Sequence, residues 1–199
     1  MKRSVYWIMF GGVIAFTVFG FLIDFIPFYT HNHEIELLGI WSLLVLGALL
    51  GIAISLGTNR RTPEGLFLIG ALGVWFAYRV VAFAIDYDHD YTHAIDFLSP
   101  WFEIGAMAAI SAIGCMILGG RLNGWHGMLF LFIVGALSVG LGQFIRTLDK
   151  ISTNLTLQTF YAQWKSGRAF LLVRPVSGAL IWCVAWYFYP QARLERSDK

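Results

Sequence analysis

Long apolar stretches separated by short polar segments dominate this chain. Six stretches approach or exceed the length that a helix needs to cross the hydrocarbon core of a bilayer, about 20 mostly apolar residues. They are continuous runs without the strict alternation of a barrel strand, so they predict helices. The predicted spans are residues 5–28, 35–56, 66–85, 101–118, 125–145 and 169–189.

Composition points to the same class of protein. Of the 199 residues, 58% are hydrophobic and 13% are charged, whereas a typical soluble domain is about 45–50% apolar and about 25% charged. So few charged side chains cannot coat a globule that faces water. A formal net charge of +2 also gives no basic field for binding nucleic acid. We therefore expect one polytopic, all-α domain over residues 1–199, a bundle of six transmembrane helices in contact with lipid.

The distribution of basic residues predicts the orientation of the bundle. They lie before the first span and after the second, fourth and sixth spans: Lys2, Arg3, Arg60, Arg61, Arg121, Arg193, Arg196 and Lys199. The connections in between are acidic, except for the last one, which is mixed. Because cytoplasmic loops carry the excess of Lys and Arg, we expect both termini in the cytoplasm. The favoured location is a bacterial inner membrane.

The last outer connection, residues 147–167, is the only long one. Leu157, Phe160, Tyr161 and Trp164 recur in it at helical spacing between polar residues. This amphipathic pattern predicts a short helix that lies in the outer membrane interface. A core helix of a small outer cap is the alternative interpretation.

Small residues mark candidate helix contacts. The second span contains a GxxxG pattern at Gly47 and Gly51, and the fourth span is rich in Gly, Ala and Ser. Small side chains let helix backbones approach closely in lipid. We expect the second and fourth spans to lie centrally in the bundle. The same faces are also candidates for a homo-oligomer contact or for packing on other membrane proteins.

Four ionisable residues lie within the spans: Asp24, Arg79, Glu103 and Arg174. Charged groups inside a bilayer are costly, and their default interpretation is a functional site. At 1.5 Å per residue, Arg79 lies roughly 10 Å and Arg174 roughly 9 Å from the outer surface. Asp24 and Glu103 lie about a turn deep. All four thus fall in the outer half of the membrane, and they predict a polar pocket that opens outward.

Two interpretations of these charges remain open. The two acids and two bases can form structural ion pairs, because their charges balance. Alternatively, Arg79 and Arg174 hold an anionic group such as a carboxylate or a lipid phosphate, for which a planar guanidinium is well suited. Gln143 and Arg146, at the outer end of the fifth span, are candidates for the rim of the pocket. Arg146 can instead extend to the lipid headgroups.

Histidines and aspartates in the outer connections form a second candidate site. Its predicted ligands for a divalent metal are His31, His33, His89, His93, Asp86 and Asp88. Imidazole together with carboxylate suits zinc, copper, iron or manganese. The simpler interpretation is a solvated acidic loop that follows the charge rule, and a pH-sensing cluster is a third.

No motif decides whether the chain is an enzyme. No span carries histidines with the depth or pairing that two axial haem ligands need, so no haem is expected. The favoured hypothesis is a membrane protein that binds or transports a small or anionic solute in the outward pocket. One alternative is a metal-dependent membrane enzyme with a His/Asp site on its outer face. Another is a non-catalytic subunit of a membrane complex.

Overall fold

The computed structural model describes residues 3–25, 35–58, 69–79, 100–152, 154–165 and 168–189. Within these ranges every regular element is a helix and no strand occurs. This agrees with the continuous apolar runs of the sequence. Among the residues that the structure describes, four helices are long and apolar enough to cross a membrane: Val5–Asp24, Trp41–Thr58, Gly124–Leu148 and Phe170–Phe188.

These four segments coincide with the predicted first, second, fifth and sixth spans. The predicted fourth span corresponds to a shorter apolar helix, Ile104–Gly120. The predicted third span is described only over residues 69–79, which are helical. The structure therefore supports a multi-pass membrane protein, and the arrangement with six spans stays a prediction.

The helices are named here in chain order. They are α1 (Arg3–Gly20), which continues as one π-helical turn (Phe21–Phe25); α2 (Ile35–Thr58); α3 (residues 69–79); α4 (Pro100–Ile151); α5 (Leu155–Lys165); and α6 (Val173–Phe188), which directly follows a 3₁₀ turn (Arg168–Leu172).

Helix α4 is a tight hairpin whose chain reverses near Gly124. This residue has a φ of +52°, a left-handed conformation that glycine adopts at little cost. A Cβ atom at Gly135 in the second arm would lie 2.6 Å from the carbonyl oxygen of Ser111 in the first arm. The absence of side chains at such positions lets the two arms pack backbone to backbone. The reversal falls in the predicted connection between the fourth and fifth spans.

The core of the bundle is built where α1 packs on α2 and α6, and where α6 packs on the second arm of α4. Gly11 lies against Ala53 of α2, and Gly12 lies against the indole of Trp182. That indole is buried, and its Nε1 atom donates a hydrogen bond to the carbonyl oxygen of Ile8 at 3.0 Å. A contact between two small residues thus sets the distance from α1 to α2, and a contact between glycine and a large ring sets the distance from α1 to α6.

The GxxxG pattern of α2 is used inside the chain. A Cβ atom at Gly47 would lie 2.5 Å from the carbonyl oxygen of Gly70 in α3. The Cγ2 atom of Val74 in α3 lies against both Gly47 of α2 and Gly114 in the first arm of α4, so the three helices meet at this side chain. Gly47 therefore packs against α3 of its own chain.

Helix α5 begins at a polar cap. The side-chain oxygen of Asn154 accepts a hydrogen bond from the backbone N–H of Thr156 at 3.0 Å, a standard way to satisfy the free donors at a helix start. Leu155 and Phe160 are exposed. Trp164 instead packs edge-on against Phe170, with ring centroids 5.4 Å apart. The predicted short helix exists, and its place in the membrane interface stays a prediction.

Candidate functional site

Three helix ends meet at one end of the bundle. Helix α6 runs antiparallel to α1, because Gly20 contacts Pro175 near the start of α6 while Ile8 contacts Trp182 further along it. It also runs antiparallel to the second arm of α4, in which Gly142 contacts Arg174. The end of α1, the end of α4 and the start of α6 therefore lie side by side, and each contributes polar side chains to one cluster.

Asp24 is at the centre of this cluster. Only 1% of its side-chain surface is exposed. Its Oδ1 atom accepts a hydrogen bond from Nη1 of Arg174 at 2.7 Å and lies 2.7 Å from Nη1 of Arg146. Two guanidinium groups thus share a single oxygen of one carboxylate.

Gln143 orients one of these guanidinium groups. Its Oε1 atom accepts a hydrogen bond from Nε of Arg174 at 3.1 Å and a second one from Nη2. Gln143 and Arg146 are three residues apart and lie on one face of α4. A Cβ atom at Gly142 would lie 3.1 Å from the Cα atom of Arg174, so this glycine allows α6 to bring Arg174 close to that face.

Two irregular segments position the charges. Asp24 lies in the π-helical turn Phe21–Phe25, whose wider geometry changes the angular position of the residues that follow Gly20. Pro175 lies in the first turn of α6, where a backbone N–H has no helical partner, so the missing donor costs little there. A Cβ atom at Gly20 would lie 2.7 Å from the Pro175 ring. These features hold the carboxylate of α1 against the start of α6.

An aromatic pair covers the second guanidinium group. The Cζ atom of Arg146 lies 4.5 Å from the centroid of the Phe170 ring, within the range of a cation–π interaction. Phe170 is itself buried and packs against Trp164 of α5. The segment between α4 and α6 therefore takes part in enclosing the cluster.

The described side chains of the cluster carry unequal numbers of positive and negative charges. They comprise two guanidinium groups and one carboxylate. The Oδ2 atom of Asp24 is buried and has no hydrogen-bond partner in the described part of the chain. The Nη1 atom of Arg146 is also buried and has no hydrogen-bond partner there, although it lies 2.7 Å from Oδ1 of Asp24. The cluster thus has buried polar atoms on both Asp24 and Arg146 that lack a hydrogen-bond partner among the described residues.

No family model, curated protein or solved structure matches this chain. The geometry of the cluster is therefore the basis for assigning a function.

The structure brings together two of the four charges that the sequence places within the spans. Asp24 and Arg174 form an ion pair, and Arg146 and Gln143, the candidates for the rim of the predicted pocket, contact it. The pocket itself stays a prediction. Arg79 lies at the end of α3 with an exposed side chain and forms no ion pair with the described residues. Glu103 lies in α4, and its side chain is outside the described part of the structure.

The predicted metal ligands are not covered by the structure. The six residues His31, His33, His89, His93, Asp86 and Asp88 all lie outside the described ranges. Within those ranges, no group of three or more His, Cys, Asp or Glu side chains is arranged to hold a metal ion. The metal site and the enzyme hypothesis that depends on it stay predictions.

Proposed function

We propose that this protein is a multi-pass membrane protein that binds a small anionic group, a carboxylate or a phosphate, at the cluster of Asp24, Arg146 and Arg174. The observation that carries the proposal is the sharing of one carboxylate oxygen by two guanidinium groups. The described part of the cluster therefore holds one more positive charge than negative charge.

Guanidinium groups at this depth are unfavourable unless negative charges lie beside them. Only 20% of the side chain of Arg146 and 13% of that of Arg174 is exposed. Removing a charged group from water costs several kcal/mol unless an opposite charge and hydrogen bonds compensate. A bound anion lowers that cost. Guanidinium groups suit this task, because their planar donors match the oxygens of carboxylates and phosphates.

Asp24 limits how strongly the site holds its ligand. Its carboxylate already occupies the position between the two guanidinium groups, so an incoming anion interacts mainly with donors that Asp24 leaves unused. On Arg146, even Nη1, which lies nearest to Asp24, makes no hydrogen bond to the described residues. Such a site favours reversible binding of a solute over permanent capture, which suits a transporter or a receptor.

We propose the following membrane arrangement. Six helices span the bilayer, both termini are cytoplasmic, and α5 lies in the outer interface of a bacterial inner membrane. The alternation of basic and acidic connections supports this orientation. The cluster then lies in the outer half of the membrane, because α1 starts at the cytoplasmic side and Asp24 is near its outer end.

Anion binding can be tested on the purified protein in a neutral detergent. Isothermal titration with sodium phosphate and with sodium acetate, at constant ionic strength set by sodium chloride, should show saturable heat for at least one of the two anions. Arg146→Gln should abolish it, since this change removes the surplus charge. The matched control is Arg79→Gln, which removes an exposed guanidinium group that is not paired within the described structure.

Two results would contradict the proposal. One is the absence of saturable binding for both anions in a folded protein. The other is an equal loss for Arg146→Gln and Arg79→Gln, which points to a diffuse effect of net charge. Uptake of the bound anion into proteoliposomes then distinguishes a transporter from a protein that only binds.

A further inference from the structure

The Oδ1 atom of Asp24 lies where an anionic oxygen of a ligand would bind. It accepts a hydrogen bond from Nη1 of Arg174 at 2.7 Å and lies 2.7 Å from Nη1 of Arg146. We call this place between the two guanidinium groups the bridging position. Guanidinium donors bind carboxylate and phosphate oxygens strongly, and in this structure a side chain of the protein itself fills the place.

Residues other than Asp24 hold both guanidinium groups. Arg174 donates two hydrogen bonds to Oε1 of Gln143 in α4. The ring of Phe170 covers the guanidinium group of Arg146, whose Cζ atom lies 4.5 Å from the ring centroid. Neither holding residue belongs to α1 or to its π-helical turn. The two cations therefore keep these contacts when the carboxylate of Asp24 leaves the bridging position.

Asp24 fills the bridging position incompletely. Its Oδ2 atom is buried and has no hydrogen-bond partner in the described part of the chain. The Nη1 atom of Arg146 lies beside Oδ1 but likewise makes no hydrogen bond to the described residues. Buried polar atoms without partners are costly. A free anion is not tied to a helix, so it can turn its oxygens toward donors that the tethered carboxylate does not satisfy.

An irregular turn carries the carboxylate of Asp24. Asp24 is in the π-helical turn Phe21–Phe25, and such single turns are rare and occur frequently at functional sites. A return to α-helical geometry would rotate the residues after Gly20 by a large part of the roughly 100° that separates neighbouring residues. At the outer radius of a helix, about 5–6 Å, this rotation moves a carboxylate out of hydrogen-bond distance.

From these contacts we infer that Asp24 is an internal competitor for the ligand of the cluster. The ligand anion takes over the bridging position, and the change in the π-helical turn carries the Asp24 carboxylate away. Arg146 and Arg174 are then paired with an anion in both states, so neither state leaves them uncompensated. In the proposed membrane arrangement Asp24 is about a turn from the outer end of its span, so the displaced carboxylate can reach water. This inference rests on the proposed function and adds how the same site is regulated.

The first test removes the carboxylate and supplies it from solution. Asp24→Ala leaves the bridging position empty, and sodium formate provides the group that this variant lacks. Isothermal titration in a neutral detergent should give a several-fold lower Kd for formate with Asp24→Ala than with the wild type. Adding Arg146→Gln to Asp24→Ala should abolish this gain, because one guanidinium group remains. The matched control, Ser138→Ala, changes another buried polar side chain, about 12 Å along α4 from Arg146, and should leave the Kd unchanged.

A second test follows Asp24 in the wild type and does not depend on the stability of the alanine variant. In protein labelled with carbon-13 aspartate, infrared difference spectra with and without sodium phosphate should show a shift of a labelled carboxylate band. The shift is expected because the carboxylate loses its two guanidinium neighbours. Asp24→Glu keeps a carboxylate but carries no label at this position, so the shift should be missing in its spectra.

The exchange and the proposed function can fail separately. If the wild type binds inorganic phosphate without a shift of the labelled band, the exchange is wrong and the proposed function stands. A folded Asp24→Ala variant that binds formate no better than the wild type would contradict the exchange in the same way. If neither protein binds formate or phosphate, both are wrong. Binding by Asp24→Ala alone would mean that Asp24 fills the bridging position permanently, which also contradicts both.

Discussion

The guanidinium group of Arg174 and the carboxylate of Asp24 meet at 2.7 Å although 150 positions separate them in the chain. The contact joins the end of α1 to the start of α6. It is enclosed by the second arm of α4, which adds Gln143 and Arg146. A single buried carboxylate therefore connects side chains from three helices. Its removal should affect both the stability of the bundle and the binding of anions.

Asp24→Asn should strongly destabilise the protein. The change leaves two guanidinium groups close together without the carboxylate between them, and removing one partner of a buried ion pair costs about 3–5 kcal/mol. Arg174→Gln should cost less than Asp24→Asn, because Arg146 remains as a partner for Asp24. Unfolding by heat or denaturant in a neutral detergent measures both variants.

The double variant of Asp24→Asn and Arg174→Gln tests the pair directly. Because the residues are in contact, the effects should deviate from additivity by about 0.5–3 kcal/mol. Ser55→Ala is a control for the loss of a buried polar group. Its hydroxyl is buried but has no hydrogen-bond partner among the described residues. Additive single effects would show that the contact does not contribute to stability.

The sequence singled out Asp24 and Arg174 of this cluster, and Arg146 as a candidate for its rim, but not which acid pairs with which base. Asp24 and Arg174 stand out because an ionisable residue within an apolar span is costly. Their contact depends on which helices are neighbours, and this is determined by glycines such as Gly20 and Gly142, whose partners lie far away in the chain. Arg146 could be assigned to the pocket or to the headgroups with equal justification, because it lies near the end of its span.

The phenyl ring over Arg146 should stabilise the protein through its contact with the guanidinium group. Phe170→Leu keeps an apolar side chain and removes the π-system, which is worth about 0.5–2 kcal/mol for a cation–π pair. The same substitution in an Arg146→Gln background should cost less by that amount. An equal cost in both backgrounds would mean that Phe170 acts only through its volume and its contact with Trp164.

The hydrogen bond from Trp182 to α1 allows a comparison between two similar tryptophans. Trp182 and Trp186 are both fully buried in α6, but the Nε1 atom of Trp186 has no partner in the described structure. Both changes to Phe remove similar volume, so Trp182→Phe should cost about 1 kcal/mol more than Trp186→Phe, the usual value of one hydrogen bond. Free energies of unfolding in detergent provide the test. A larger cost for Trp186→Phe would contradict the role of the indole donor.

The turn of the α4 hairpin should require glycine because of its backbone conformation and not because of crowding. Nothing lies within 4 Å of a Cβ atom at either Gly124 or Gly105, but only Gly124 has a positive φ. Gly124→Ala should therefore destabilise the protein by roughly 1–2 kcal/mol. Gly105→Ala, within the helix, should stabilise it by roughly 0.5–1 kcal/mol. Melting temperatures of the two variants should move in opposite directions.

This hairpin also shows how far apolar periodicity predicts the fold. Arg121, Asn123 and Gly124 interrupt the apolar pattern. This interruption predicts the position at which the chain reverses between the two arms of α4. It does not reveal that helical geometry continues almost through the reversal, because this depends on the close contact of the two arms at Gly119 and Gly127. The π-helical turn at Asp24 likewise has no signal in the hydrophobic pattern.

The number of membrane crossings can be decided by the side on which Asp88 lies. In a protein with six spans, residues 66–85 cross the bilayer, and Asp88 is on the opposite side from Arg60. If only the four long helices cross, the whole segment between α2 and the second arm of α4 stays on one side, and Asp88 shares the side of Arg60.

Single cysteines at the two positions, in a background without Cys115 and Cys183, can be labelled in intact cells with a maleimide that does not cross membranes. We expect labelling at Asp88 before permeabilisation and at Arg60 only afterwards. A cysteine at Thr156, in the connection before α6, is the control, because it is outside in either arrangement and should label in intact cells.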